Sequence, residues 1–180
     1  MKAPKRVVVS MALFLLSIGV SAAIADETLV ELLKKRFPIS RIDVQNAAVE
    51  GTVVRPGARL RLEVDDVQAK RLRVTQANTK SPRFHTPDYA RVGVTAGQLV
   101  TLEPGELKLR KGTELVVLDI KVRADTVRLF THTREPVSSA GGRPVYGCTE
   151  FVFRFDRALN SPADAAPVQQ AIERWLSPIS

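Results

Sequence analysis

Cysteine occurs once, at position 148, and histidine twice, at positions 85 and 132. A single thiol cannot close an intramolecular disulfide, so the chain must hold its fold by core packing alone. Neither histidine has an HxxxH or paired-cysteine neighbour, which a zinc site with three or four close ligands needs. No metal and no cofactor are therefore expected. A glycine-rich phosphate loop, a GxSxG elbow and a paired-carboxylate pattern are also missing. Charged residues make up 26% and hydrophobic ones 44% of the 180 residues. That balance excludes a disordered tail, a collagen-like fibre and a polytopic membrane protein, and leaves one folded domain.

The first 25 residues read as a secretory leader. Lys2, Lys5 and Arg6 form its charged start, Val7 to Val20 its apolar middle, and Ala23-Ile24-Ala25 the small-x-small cleavage pattern. The alternative is that this run stays attached as an N-terminal anchor. With cleavage after Ala25, three basic residues leave, and 24 basic against 19 acidic residues give the rest of the chain a net charge of +5. The expected location is exported, periplasmic or extracellular. The charge suits an anionic envelope component, with another exported protein as the other partner class. Nucleic acid is not expected as a partner of an exported chain, nor is an integral membrane domain once the leader is gone.

Residues 26–180 then form a single β-rich domain. Residues 27–37 carry Leu29, Leu32, Leu33 and Phe37 at helical spacing, with Glu31 and Lys35 as an i,i+4 pair and Pro38 as the stop. The period then changes to two, in Arg59-Leu60-Arg61-Leu62 and Arg71-Leu72-Arg73-Val74. Residues 55–74 resemble residues 110–129, as a hairpin duplication or as the chance likeness of two hairpins of equal length. Leu115 to Leu118 is apolar on both faces and predicts a strand covered on both sides. Residues 146–155 predict a strand with Phe151, Phe153 and Phe155 on one face and Cys148, Glu150, Val152 and Arg154 on the other. Segments 76–98 and 131–145 are the least regular, and Ser138 to Gly142 reads as a hairpin loop. A last helix is predicted with Asp164 as N-cap and a stripe of Ala165, Val168, Ala171, Ile172 and Trp175, so that Trp175 is buried beside strand 146–155. The expected fold is α+β: a mostly antiparallel sheet or small, partly open barrel, with a short N-terminal helix and a C-terminal helix packed on the sheet.

Two groups of residues could carry chemistry. Arg59 and Arg61 lie on the polar face of one strand, and Arg71 and Arg73 on that of the next. If these strands pair, four guanidiniums share a surface fit for carboxylate or phosphate groups. The other group is His132 followed by Val145-Tyr146-Gly147-Cys148-Thr149. This segment resembles the L,D-transpeptidase family, whose exported members carry a histidine and then Ser/Thr-His-Gly-Cys. Val145 and Tyr146 depart from that motif. The resemblance implies a thiol-dependent cell-wall enzyme in which Cys148 is the acylated nucleophile and His132 the neighbouring imidazole. Two functions follow: a non-enzymatic binding or accessory protein of the bacterial envelope, or that thiol enzyme.

Overall fold

The computed structural model describes residues 27–43, 50–72, 88–95 and 97–179. The leader, Arg73 and His85 lie outside the described residues.

Helix α1 (Leu29–Arg36) begins with a reciprocal cap. The Thr28 hydroxyl accepts from the Glu31 N–H, and the Glu31 carboxylate accepts from the Thr28 N–H at 2.8 Å. That cap draws Glu31 away from Lys35, which pairs with Glu27 instead at 2.7 Å. Leu29, Leu33 and Phe37 are buried as the spacing predicts. Strands β1 (Arg41–Ile42) and β2 (Val53–Arg55) form a separate two-stranded ribbon.

The main sheet is built from β3 (Arg59–Leu62), β4 (Val67–Arg71), β5 (Ala90–Thr95), β6 (Gln98–Glu103), β7 (Leu107–Leu109), β8 (Glu114–Arg123) and β9 (Thr126–Thr133). A small hairpin, β10 (Ser138–Ala140) with β11 (Arg143–Val145), leads into β12 (Gly147–Arg154). Gly141 and Gly142, both at positive φ (59° and 74°), make its two-residue turn, which fits the predicted loop. Helix α2 (Ala165–Glu173) and β13 (Leu176–Pro178) close the described chain. The strand order is β13-β3-β8-β9-β12-β4-β7, with β5 also paired to β12 and β6 to β5. All pairings in this sheet are antiparallel except β5 with β12, which is parallel.

This order forces curvature. In a flat sheet β3 and β4, four places apart, would lie about 19 Å from each other. Only residues 63–66 join them, and five residue steps reach about 18 Å even when fully extended. The sheet therefore curls into a half-barrel. Bonds from Gly112 N–H to the Leu62 carbonyl (2.7 Å) and from Lys111 N–H to Asp65 Oδ1 (2.9 Å) tie the β7–β8 turn onto the β3–β4 turn. β3 and β4 are not hydrogen-bonded to each other, whereas β8 and β9 are paired along most of their length. The two similar sequence segments are thus built differently.

The concave face holds Leu60, Leu115, Val117, Val127, Leu129, Phe151 and Phe153, and α1 and α2 add Leu33, Val168 and Ile172 to the same cluster. Arg36 bonds Glu173 at 2.6 Å and ties the two helices together. Two details of the C-terminus differ from expectation. Asp164 does not cap α2 with its side chain, because its carboxylate turns back to the Ser161 N–H (3.0 Å) and to Arg157. Trp175 lies past the end of α2 and is only partly buried. Leu176 takes the deep position, because the chain after Trp175 straightens and pairs with β3, placing Leu176 opposite Leu62. Among the described residues no helix is long and apolar enough to cross a membrane.

Burial sets the order of two substitutions. Phe151→Ala should cost about 3–5 kcal/mol, the usual range for emptying a sealed phenylalanine site. Trp175→Ala should cost clearly less. Urea unfolding of both variants checks the ranking, with a larger loss for Trp175 as the contrary outcome.

Candidate functional site

The convex face of the sheet carries the residues singled out for chemistry. Cross-strand register places Lys70, Cys148, His132, Val116 and Arg59 in one row across β4, β12, β9, β8 and β3. The next row holds Arg91, Glu150 and Phe130 on β5, β12 and β9. Directly opposed residues share a face, so His132 and Cys148 are side-chain neighbours.

The pair is sealed. Both residues have 0% exposure. The Tyr146 ring stacks on His132 with centroids 4.9 Å apart. Tyr146 and Leu72 are covered in turn by the backbone at Gly51, which sits at φ 88°. A Cβ there would come within 2.5 Å of Tyr146 and 2.9 Å of Leu72, so only glycine closes this roof. Among the described residues neither ring nitrogen of His132 has a partner at hydrogen-bond geometry. Burial lowers the imidazole pKa to about 4 and raises that of the Cys148 thiol far above its ordinary value. At neutral pH the site therefore holds a neutral imidazole and an un-ionised thiol. A reactive cysteine needs the opposite arrangement.

Glu150, 2% exposed, sits beside this pair. Arg128 Nε and Arg91 Nε (3.0 Å) both donate to its carboxylate. Burial pushes its pKa up, but these two guanidiniums outweigh burial and hold it below the ordinary range. The chain of charge continues outward from Arg91 to Glu103 (3.7 Å), to Lys70 (2.5 Å) and to Asp88 (3.2 Å). Phe130 lies under Lys121 and Arg128, 4.8 and 5.3 Å from the ring centre, and Tyr89 meets its edge. Every charge here is matched, and Glu150 is fixed as an ionised anchor rather than an acid or base. Sequence reasoning missed this clamp. The one sign of it was an acidic residue inside the apolar run Cys148 to Phe155.

The condition for a shared arginine face, pairing of the two strands, is not met by β3 and β4, and Arg73 lies outside the described residues. Arg59 pairs with Glu114 at 3.1 Å, and Arg134 reaches the same carboxylate at 2.9 Å. Arg61 is exposed on β3, opposite Glu114 and Ser177. Arg71 lies on β4, its Nε buried without a hydrogen-bond partner among the described residues. A different arginine pair stands on the β1–β2 ribbon, where Arg41 and Arg55 are direct cross-strand partners and both exposed. No ion pair involving either is found among the described residues. Away from this face, a groove of about 710 Å³ runs between the start of α1 and the end of β8, with Leu29, Ile120, Val122 and Leu159 in its wall. Among the described residues no three metal-ligating side chains cluster.

Burial of His132 fixes a pH dependence. The unfolded chain takes up a proton near pH 6.5, whereas the folded chain does so only near 4. Stability is therefore complete above pH 6.5 and lost as pH falls through this window, by about 2 kcal/mol between pH 7 and 5. His132→Phe should abolish this slope. It should also add about 1–2 kcal/mol at pH 7, because two unsatisfied nitrogens leave the interior. Urea midpoints from pH 5 to 7 measure both effects, and a flat wild-type profile would contradict the buried, neutral imidazole. No protein-family model matches the chain, and neither a curated protein nor a solved structure shows significant similarity to it.

Proposed function

We propose that this chain is an exported, non-enzymatic binding or accessory protein of the bacterial envelope that engages an anionic partner. The observation that carries the reading is the sealed state of Cys148 and His132, which keeps the chain's single thiol un-ionised and out of reach of a substrate. The anionic preference rests on charge. After cleavage of the leader the chain carries 24 basic against 19 acidic residues, and Arg41 and Arg55 face one another on an exposed ribbon. Like charges directly opposed across strands repel, so a phosphate or carboxylate placed between the two guanidiniums relieves the repulsion and receives bidentate hydrogen bonds. The thiol enzyme remains the second reading. It is favoured by the adjacency of His132 and Cys148 and opposed by their burial.

Co-sedimentation with vesicles tests the proposal. The protein should pellet with phosphatidylglycerol vesicles and stay in solution with phosphatidylcholine vesicles. Binding should weaken as salt rises through the physiological range. Arg41→Glu with Arg55→Glu should reduce it at least about tenfold, a loss on the scale of a few charge contacts. Cys148→Ser should leave it unchanged if the variant folds. Equal pelleting with both vesicle types, or full retention by the double variant, would overturn the anionic reading.

A further inference from the structure

Three strands close the main sheet with an edge that no other described strand covers. β13 and β7 are three residues long, and β13 ends at Pro178. β6 is different. It is six residues long and pairs with β5 alone. Exposed edges of this length are normally guarded by lysine, proline or an inward-pointing charge. Gln98-Leu99-Val100-Thr101-Leu102-Glu103 has none of these before its last residue, and Lys70 and Arg91 already neutralise Glu103.

The apolar residues on this edge are also the exposed ones. Val100 and Leu102 are 49% and 55% exposed, two of only four large hydrophobic side chains in the open among the described residues. Val100 stands opposite Gly93 of β5, and the Leu102 side chain reaches within 3.1–3.4 Å of where a Gly93 Cβ would be. Both side chains therefore project from the convex face, and the missing side chain at Gly93 leaves them without apolar cover. Strand alternation sets Leu102 on the same face as Val100, and the register irregularity between Arg91 and Val92 pairs Arg91 with Glu103 in place of Leu102.

We propose that β6 is the pairing edge of a homodimer, in which β6 of two copies joins antiparallel about a two-fold axis at Thr101. A two-fold axis perpendicular to a sheet keeps each residue on its own face, so opposed residues must have positions of equal parity. Centred on Thr101, the pairing sets Val100 of each copy against Leu102 of the other. Four exposed apolar side chains then cover one another on the convex face. The two Thr101 residues meet on the other face, a favourable cross-strand pair. Charge permits it as well. Residues 98–102 carry no charged side chain, so no charge meets its own copy across the axis. A pairing centred on Val100 would instead set Leu102 against Gln98 and lose the apolar match.

Sedimentation equilibrium of the purified protein and register-specific cross-linking test this. The wild type should be a concentration-dependent dimer, and Leu102→Lys should weaken the dimer at least about tenfold, since a lysine on a strand edge opposes pairing. Thr101→Cys should oxidise to a covalent dimer with mild oxidant, because the axis sets the two sulfurs face to face. Gln98→Cys should not, and the wild type, with Cys148 buried, should give no cross-link. A wild-type protein that sediments as a monomer at every concentration would overturn the proposal. So would equal cross-linking of the Thr101 and Gln98 variants, or a dimer that Leu102→Lys leaves intact.

Discussion

Strand β12 is the constraint on which the rest of the structure depends. β9 pairs with it on one side, while β4 and then β5 pair with it on the other. Its residues from Gly147 to Phe151 are buried on both faces. Phe151 and Phe153 supply the concave core, and Cys148 and Glu150 face the opposite way. A carboxylate taken out of water in the middle of such a strand is strongly destabilising unless it is matched in charge and hydrogen bonding. Arg91 and Arg128 match it from the strands on either side. The clamp thus also favours one register for β5 and β9, because a one-residue slip would turn those guanidiniums to the other face and leave Glu150 unpaired.

The same two-sided burial explains why the Cys148 thiol is held un-ionised beside a neutral His132. On an open convex face, the two would be a solvated thiol beside an imidazole near its ordinary pKa. Here Tyr146 lies flat on His132, Leu72 fills the gap beside it, and the backbone at Gly51 rests on both. Tyr146 stands where the L,D-transpeptidase motif has its second histidine, and here it serves as the cover. On the reading proposed above, function lies at the surface, where a ribbon with two opposed arginines and a strand edge covered by no other described strand are exposed.

Much of the fold is legible in the sequence because it depends on local pattern. The Leu29–Leu33–Phe37 spacing gives α1, the charged–apolar alternation at Arg59–Leu62 gives β3, and the phenylalanines at every second position give the inner face of β12. Gly141-Gly142 gives the hairpin turn. Less legible are the features set by partners. Period-two alternation tells which face a residue takes but not which strand lies beside it, so whether the two arginine-bearing strands pair stays open in the sequence, and in the structure β3 and β4 do not. β5 lies hidden in Ala90–Thr95, where Gly93 and small residues weaken the strand pattern. Trp175 extends the helical stripe in sequence, yet the chain straightens before Leu176, and the strand pairing with β3 outweighs one more helical turn. At the site, residue types nominated His132 and Cys148, and the register brings them together. Their burial depends on Gly51 and Leu72, distant in sequence, and no local motif encodes that.

The central claim is that Cys148 is a sealed structural thiol, and its alkylation rate tests this most directly. Native protein is treated with iodoacetamide at pH 8 across a urea series, and modification of Cys148 is read by mass spectrometry. The account predicts no labelling of the folded protein within the time that fully labels the unfolded chain, with labelling rising only along the unfolding transition. Native labelling as fast as that of an exposed thiol would contradict it, because Cys148 would then be open to a substrate and the thiol enzyme would become the stronger reading.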